Sequence, residues 1–109
     1  MKNNHLINRI DGKELKGLYY CTACIKMTEG SEYDNVYDEL IRLVKNTIEE
    51  KGCVEFFVTP SNLERGEFIL WEIWKDREAF EFHHNAEYTK EFFSKKLTEI
   101  KWIEMDGEL

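Results

Sequence analysis

The sequence predicts an α+β domain of the ferredoxin-like plan, a four-stranded antiparallel sheet with helices on one face, and three observations predict it. The run Phe68-Ile69-Leu70-Trp71-Glu72-Ile73-Trp74 reads as a strand that is largely apolar on both sides. Between Tyr33 and Ile48, apolar residues recur at three- and four-residue intervals, the pattern of an amphipathic helix. The predicted elements then fall in the order strand, helix, strand, strand, helix pair, strand.

Residues 1 to 17 are polar, with a turn signal at Asp11-Gly12 and no sustained period, and read as an N-terminal extension. Residues 18 to 109 form the domain. The first strand is Leu18 to Met27, with Tyr19, Cys21, Ala23, Ile25 and Met27 on one face and Tyr20, Thr22, Cys24 and Lys26 on the other. Gly30 breaks it, and Ser31 with Asp34 three residues on reads as a capping box. The helix that follows has Tyr33, Val36, Tyr37, Leu40, Ile41, Val44, Thr47 and Ile48 as its apolar stripe. Gly52 suits a left-handed cap beyond it. Glu49 and Glu50 lie near the C-terminal end, where negative charge is unfavourable, so Glu50 is expected to be held from outside the helix.

Cys53 to Thr59 is the second strand, and Pro60-Ser61-Asn62 starts a turn that Gly66 helps to finish. So short a connection favours an antiparallel hairpin. After the third strand Asp76 is a natural N-cap, and Asn85 can cap a second short helix that buries Tyr88, Phe92, Phe93 and Leu97. Lys101 to Met105 closes the sheet.

Composition narrows the function. The chain has 109 residues, 42% of them hydrophobic and 14% aromatic, enough for one packed core. Its formal charge of -7 argues against nucleic acid, which needs a basic footprint. No apolar run approaches the ~20 residues of a membrane span, and the N-terminus lacks the apolar core of a signal peptide, so a cytoplasmic protein is expected. Three cysteines fit free thiols in a reducing compartment. Cys21 and Cys24 have CxxC spacing, but an offset of three in a strand sends the side chains to opposite faces, which argues against a redox pair or a zinc site.

The third strand carries the chemistry. Phe68, Leu70, Glu72 and Trp74 share one face, and Ile69, Trp71 and Ile73 share the other. Helices on one side and a second subunit on the other would cover both. A buried Glu72 needs a donor or a proton, and His83, about two turns into the next helix, is the candidate nearest in sequence. The two could equally form a structural pair that ties helix to sheet. His84 points away from His83 and reads as a solvated residue.

These residues resemble the antibiotic biosynthesis monooxygenase-like domains, the dimeric α+β barrels, over roughly residues 18 to 105. The resemblance is carried by Gly30, by Glu50-Lys51-Gly52-Cys53, and by Phe68 to Asp76 followed by Ala79 and His83, where E-x-W-x-D-x-x-A-x-x-x-H is the most specific run. It implies a homodimer through the sheet face that carries Ile69, Trp71 and Ile73. It also implies a pocket between the other face and the helices, with Glu72, Trp74 and His83 around it and Ala23, Ile25, Tyr37, Phe56, Phe80 and Phe92 as lining.

The chemistry implied is oxidation of a small aromatic or quinol-like molecule by molecular oxygen without flavin, haem or metal. His83 and Glu72 would handle protons, and Trp74 would pack the substrate. In the haem-degrading branch an asparagine and a histidine ligand accompany the tryptophan. Here Trp74 matches, but Ala23 and Phe93 occupy the other two positions, which argues against haem degradation. The alternatives on the same scaffold are a non-catalytic dimeric module for a small apolar ligand and an isomerase.

Overall fold

A computed structural model describes residues 17–105. The elements are β1 (Tyr19–Met27), α1 (Tyr33–Thr47), β2 (Cys53–Asn62), β3 (Glu67–Trp74), α2 (Arg77–Asn85), α3 (Glu87–Ser94) and β4 (Thr98–Met105), with a 3-10 turn at Leu63–Arg65. The sheet runs β2-β3-β1-β4 with every neighbour antiparallel, which is the predicted plan. Apart from Gly17, the predicted N-terminal extension lies outside the described residues.

Register decides which side chains meet. Tyr19, Cys21 and Ala23 of β1 sit opposite Trp74, Glu72 and Leu70 of β3, while Phe56 and Val58 of β2 flank Glu72 and Leu70 from the other side. These alternating positions build the core with Val36, Leu40 and Leu43 of α1, Phe80 of α2 and Phe92 of α3. Trp74, Ile25 and Val36 are fully enclosed. Between β1 and β4 the register shifts at Cys24/Ile25, so Lys101 is the extra residue of a bulge and Ile100 and Ile103 both fall beside the core face of β1.

The opposite sheet face is open. Phe57, Trp71 and Trp102 are about half exposed, and Phe57 stacks on Trp71 with ring centroids 6.3 Å apart. Ile73 shares that face but is already buried within the chain. Cys21 and Cys24 point to opposite faces, as strand geometry requires, and both are buried; with Cys53 they are free thiols.

Several local expectations are corrected. Helix α1 buries Val36, Leu40, Leu43 and Thr47, so three residues of the predicted stripe face the core and its centre is rotated by about a sixth of a turn. Tyr33, Tyr37, Ile41 and Ile48 are exposed, and Tyr37 stacks on Tyr33 instead of reaching the core. The predicted stripe erred because apolar residues occupy two adjoining faces of α1, and periodicity alone does not rank them. Ser31 does not cap α1: Glu32 is the N-cap residue without a side-chain bond, and the Ser31 hydroxyl instead contacts Thr28 and the Leu97 carbonyl.

Pro60, Ser61 and Asn62 continue β2, and the turn begins one residue later, with the Asn62 side chain accepting from Arg65 N–H and Gly66 in the left-handed region at φ 69. Asp76 caps α2 as predicted, its Oδ1 accepting from Ala79 N–H at 2.8 Å. Asn85 ends α2 and donates to the Glu81 carbonyl; Ala86 stands at the start of α3. Gly52 is no left-handed cap, and its role is spatial. A Cβ there would lie 2.3 Å from the Ala79 Cβ, so only glycine lets the end of the α1–β2 turn touch α2.

Candidate functional site

Helix α2 packs its His83 onto the sheet because Asp76 fixes where the helix starts and Gly52 lets it approach. His83 is 3% exposed, and its ring lies 4.8 Å from that of Trp74 and 5.3 Å from that of Phe56. Its Nδ1 is 2.9 Å from Oε2 of Glu50, in the turn after α1. Tyr88 of α3 donates its hydroxyl to the same carboxylate oxygen, and Thr89 Oγ1 stands 3.4 Å from Nδ1. The other oxygen of Glu50, Oε1, is buried and takes no hydrogen bond.

Burial holds the His83 imidazole below its ordinary pKa, and the Glu50 carboxylate opposes that shift. The ring is therefore neutral near pH 7. With Nδ1–H donated to Glu50, Nε2 carries the lone pair, the tautomer of a base held by a carboxylate behind it.

Glu72 follows a different route. Its Oε1 accepts from the Trp74 indole N–H at 3.0 Å, two residues along the same strand face. Burial pushes its carboxyl up to about 7 against that hydrogen bond, with the Glu50 charge adding to the rise. The predicted direct pairing of Glu72 with His83 is therefore replaced by two separate pairs, Trp74 to Glu72 and Glu50 to His83. The indole of Trp74 lies between them, bonded to one and packed at a tilt against the other.

Both groups line one internal cavity of ≈ 20 Å³, with Ala23, Ile25, Phe56, Leu43, Leu70, His84, Phe93, Ile100 and Ile103. Of the predicted lining, Ala23, Ile25 and Phe56 are there. Trp74, Phe80 and Phe92 are buried behind the wall, where Phe80 packs on Trp74 and on His84. Tyr37 is exposed on α1, away from the cavity. His84 is exposed, as expected, and its ring stands at the cavity rim against Phe80 with centroids 4.5 Å apart.

Sequence reasoning missed Glu50 and Tyr88 as the partners of His83. The signal for Glu50 was present, a carboxylate placed against the dipole of α1 that needed an outside donor. For Tyr88 no sequence signal existed, since a tyrosine on a short amphipathic helix reads as core.

A second depression of ≈ 740 Å³ opens on the surface beside this network, lined by Asn46, Glu49, Glu50, Lys51, Gly52, Lys75, Asp76, Glu78, Ala79, Phe82 and Tyr88. Glu50 thus borders this groove while its Oε2 holds a residue of the internal cavity.

Known proteins share this fold. The chain is 30% identical over 86 residues to the uncharacterized protein YjcS of Bacillus subtilis, covering 79% of this chain and 82% of that protein. A solved structure of protein YjcS matches with a TM-score of 0.77 at 28% identity, covering 84% of this chain and 99% of the other. SnoaB of Streptomyces nogalater, a cofactor-independent oxygenase, shares the fold at a TM-score of 0.69 and 9% identity, with 82% of this chain and 90% of that one covered. Residues 19–95 match the antibiotic biosynthesis monooxygenase family, and with the sheet order and helix placement described above the chain belongs to that family.

Proposed function

We propose that this protein is a cofactor-independent monooxygenase acting on a small aromatic, quinol-like substrate. The observation that carries the reading is the Glu50–His83 pair, which fixes a neutral imidazole with its basic nitrogen available to an apolar cavity. In this reading His83 removes the phenolic proton. Glu72, half protonated near pH 7, donates a hydrogen bond to the anion as it forms. The electron-rich ring then reduces dioxygen: one oxygen atom bonds to a ring carbon that loses its hydrogen, and the other leaves as water, giving the quinone. Trp74 acts through Glu72 and His83 as a positioning residue, since it does not reach the cavity wall. The kinship with an oxygenase of the same fold supports this reaction class.

Oxygen uptake by metal-stripped protein across a panel of quinols tests it. Uptake is expected in the wild type and is expected to fall by at least about a hundredfold in His83→Ala. A second reading on the same scaffold is a dimeric module that binds a small ligand without turnover; in either reading the cavity, with room for about one water, must widen to admit its ligand. Saturable quinol binding with no uptake, unchanged in His83→Ala, would select that reading.

The open sheet face supports a homodimer. Trp71 and Phe57 stack on it as an exposed aromatic pair, with Trp102 two strands away on the same face. Because Ile73 is buried within its own chain, Trp71 rather than Ile73 would anchor the second copy. Trp71→Glu is expected to give a folded monomer by sedimentation and to weaken association by about a hundredfold. A variant that remains dimeric would move the interface elsewhere.

A further inference from the structure

The groove between the end of α1 and helix α2 has ligand size and a defined polarity, and the cavity chemistry does not use it. Its lining includes four carboxylates, Glu49, Glu50, Asp76 and Glu78, against two lysines, Lys51 and Lys75. Asp76 is already engaged as the cap of α2, but the excess charge remains negative. At its floor lies Glu50, with a side chain only 4% exposed. Both of this carboxylate's bonds, from His83 and Tyr88, fall on Oε2, while Oε1 is left without a donor. A buried carboxylate oxygen with no donor is costly, and a positive charge in the adjoining groove offsets that cost through space.

Apart from Asn46, the rest of the groove is apolar and aromatic. Phe82 is 64% exposed, a large apolar side chain left open beside Ala79 and Tyr88. An aromatic face next to an excess of carboxylates suits an organic cation, whose charge is attracted both to the acids and to the ring face.

We propose that this groove is a second binding site, taking a small primary ammonium that carries an aromatic or aliphatic tail. The ammonium lies toward Glu50 and the Glu78 side of the rim, and the tail lies on Phe82. The proposal needs neither oxygen nor turnover, although the groove shares Glu50 with the pair that holds His83.

Titration calorimetry with phenethylammonium, its neutral counterpart phenethyl alcohol and the anion phenylacetate tests it on the full chain. Phenethylammonium is expected to bind saturably, at least tenfold tighter than the alcohol, with no binding of phenylacetate. Glu78→Lys and Phe82→Ala change exposed residues, so both variants should fold, and each is expected to weaken the ammonium at least tenfold. Glu50→Gln should do the same; if that variant does not fold, the two exposed variants decide. Equal affinity for ammonium and alcohol, or an unchanged affinity in both exposed variants, would overturn the proposal.

Discussion

Gly52→Ala is expected to lower stability by about 3 kcal/mol, an overpacking cost at the upper end of its usual range. The added Cβ would stand 2.3 Å from the Ala79 Cβ, which is fixed to the backbone of α2, while its 3.4 Å to the Ala79 Cα is ordinary contact. No rotamer change relieves such a contact, so α2 must move away from the turn. The displacement meets resistance at the Lys75 N–H to Gly52 carbonyl bond of 2.8 Å and at the Asp76 cap. For a domain of this size the loss corresponds to a melting temperature lower by roughly 15 °C. Ala79→Gly in the same chain should return most of it, less about 1 kcal/mol for a glycine in a helix. If the single variant melts with the wild type, the close approach of turn and helix is not as described.

Glu72→Gln is expected to change sign with pH, from nearly neutral in acid to stabilising in alkali. Burial raises the Glu72 carboxyl from 4.5 to about 7, so the folded state holds the proton more tightly than the unfolded chain does. Its contribution to stability is complete below pH 4.5 and is lost as pH rises through about 7. The difference across that window is roughly 3 kcal/mol. Glutamine keeps an acceptor for the Trp74 indole and carries no charge at any pH, so the variant escapes the loss. Urea unfolding at pH 5 and pH 9 measures it: near-equal stabilities at pH 5, and the variant ahead by roughly 3 kcal/mol at pH 9. Stabilities that run parallel at both pH values would mean that Glu72 does not take up a proton in this range.

Much of the fold was legible because it rests on period. The two-residue alternation of β3 placed Glu72 and Trp74 on the core face and Trp71 on the open one, and the structure agrees on all three. The centre of the α1 stripe was not legible, since Tyr37 and Ile41 compete with Leu40 and Leu43 for the core and only the sheet beneath decides. The caps divided by chemistry: Asp76 sits where a carboxylate can reach Ala79 N–H, whereas the Ser31 hydroxyl found a tertiary partner in Leu97. The site divided in the same way. Glu72 and His83 stood out as polar residues on apolar faces, but their partners depend on distances between segments remote in sequence. Thirty-three residues separate Glu50 from His83, and no local pattern encodes that contact.

The three thiols carry a last consequence, for reactivity. Burial pushes Cys21 and Cys53 up to about 12, with carboxylates nearby adding to the shift, and Cys24 is raised as well. At neutral pH only roughly one in 10⁵ of the first two is thiolate, the form that attacks electrophiles and peroxides. The folded chain therefore keeps the Cys21 and Cys53 thiols chemically silent, which suits a protein proposed to handle oxygen. Since Cys21 and Cys24 lie on the central strand β1 and Cys53 opens an edge strand, alkylation counts the molecules whose sheet has come apart. Their alkylation thus reads out unfolding of the sheet.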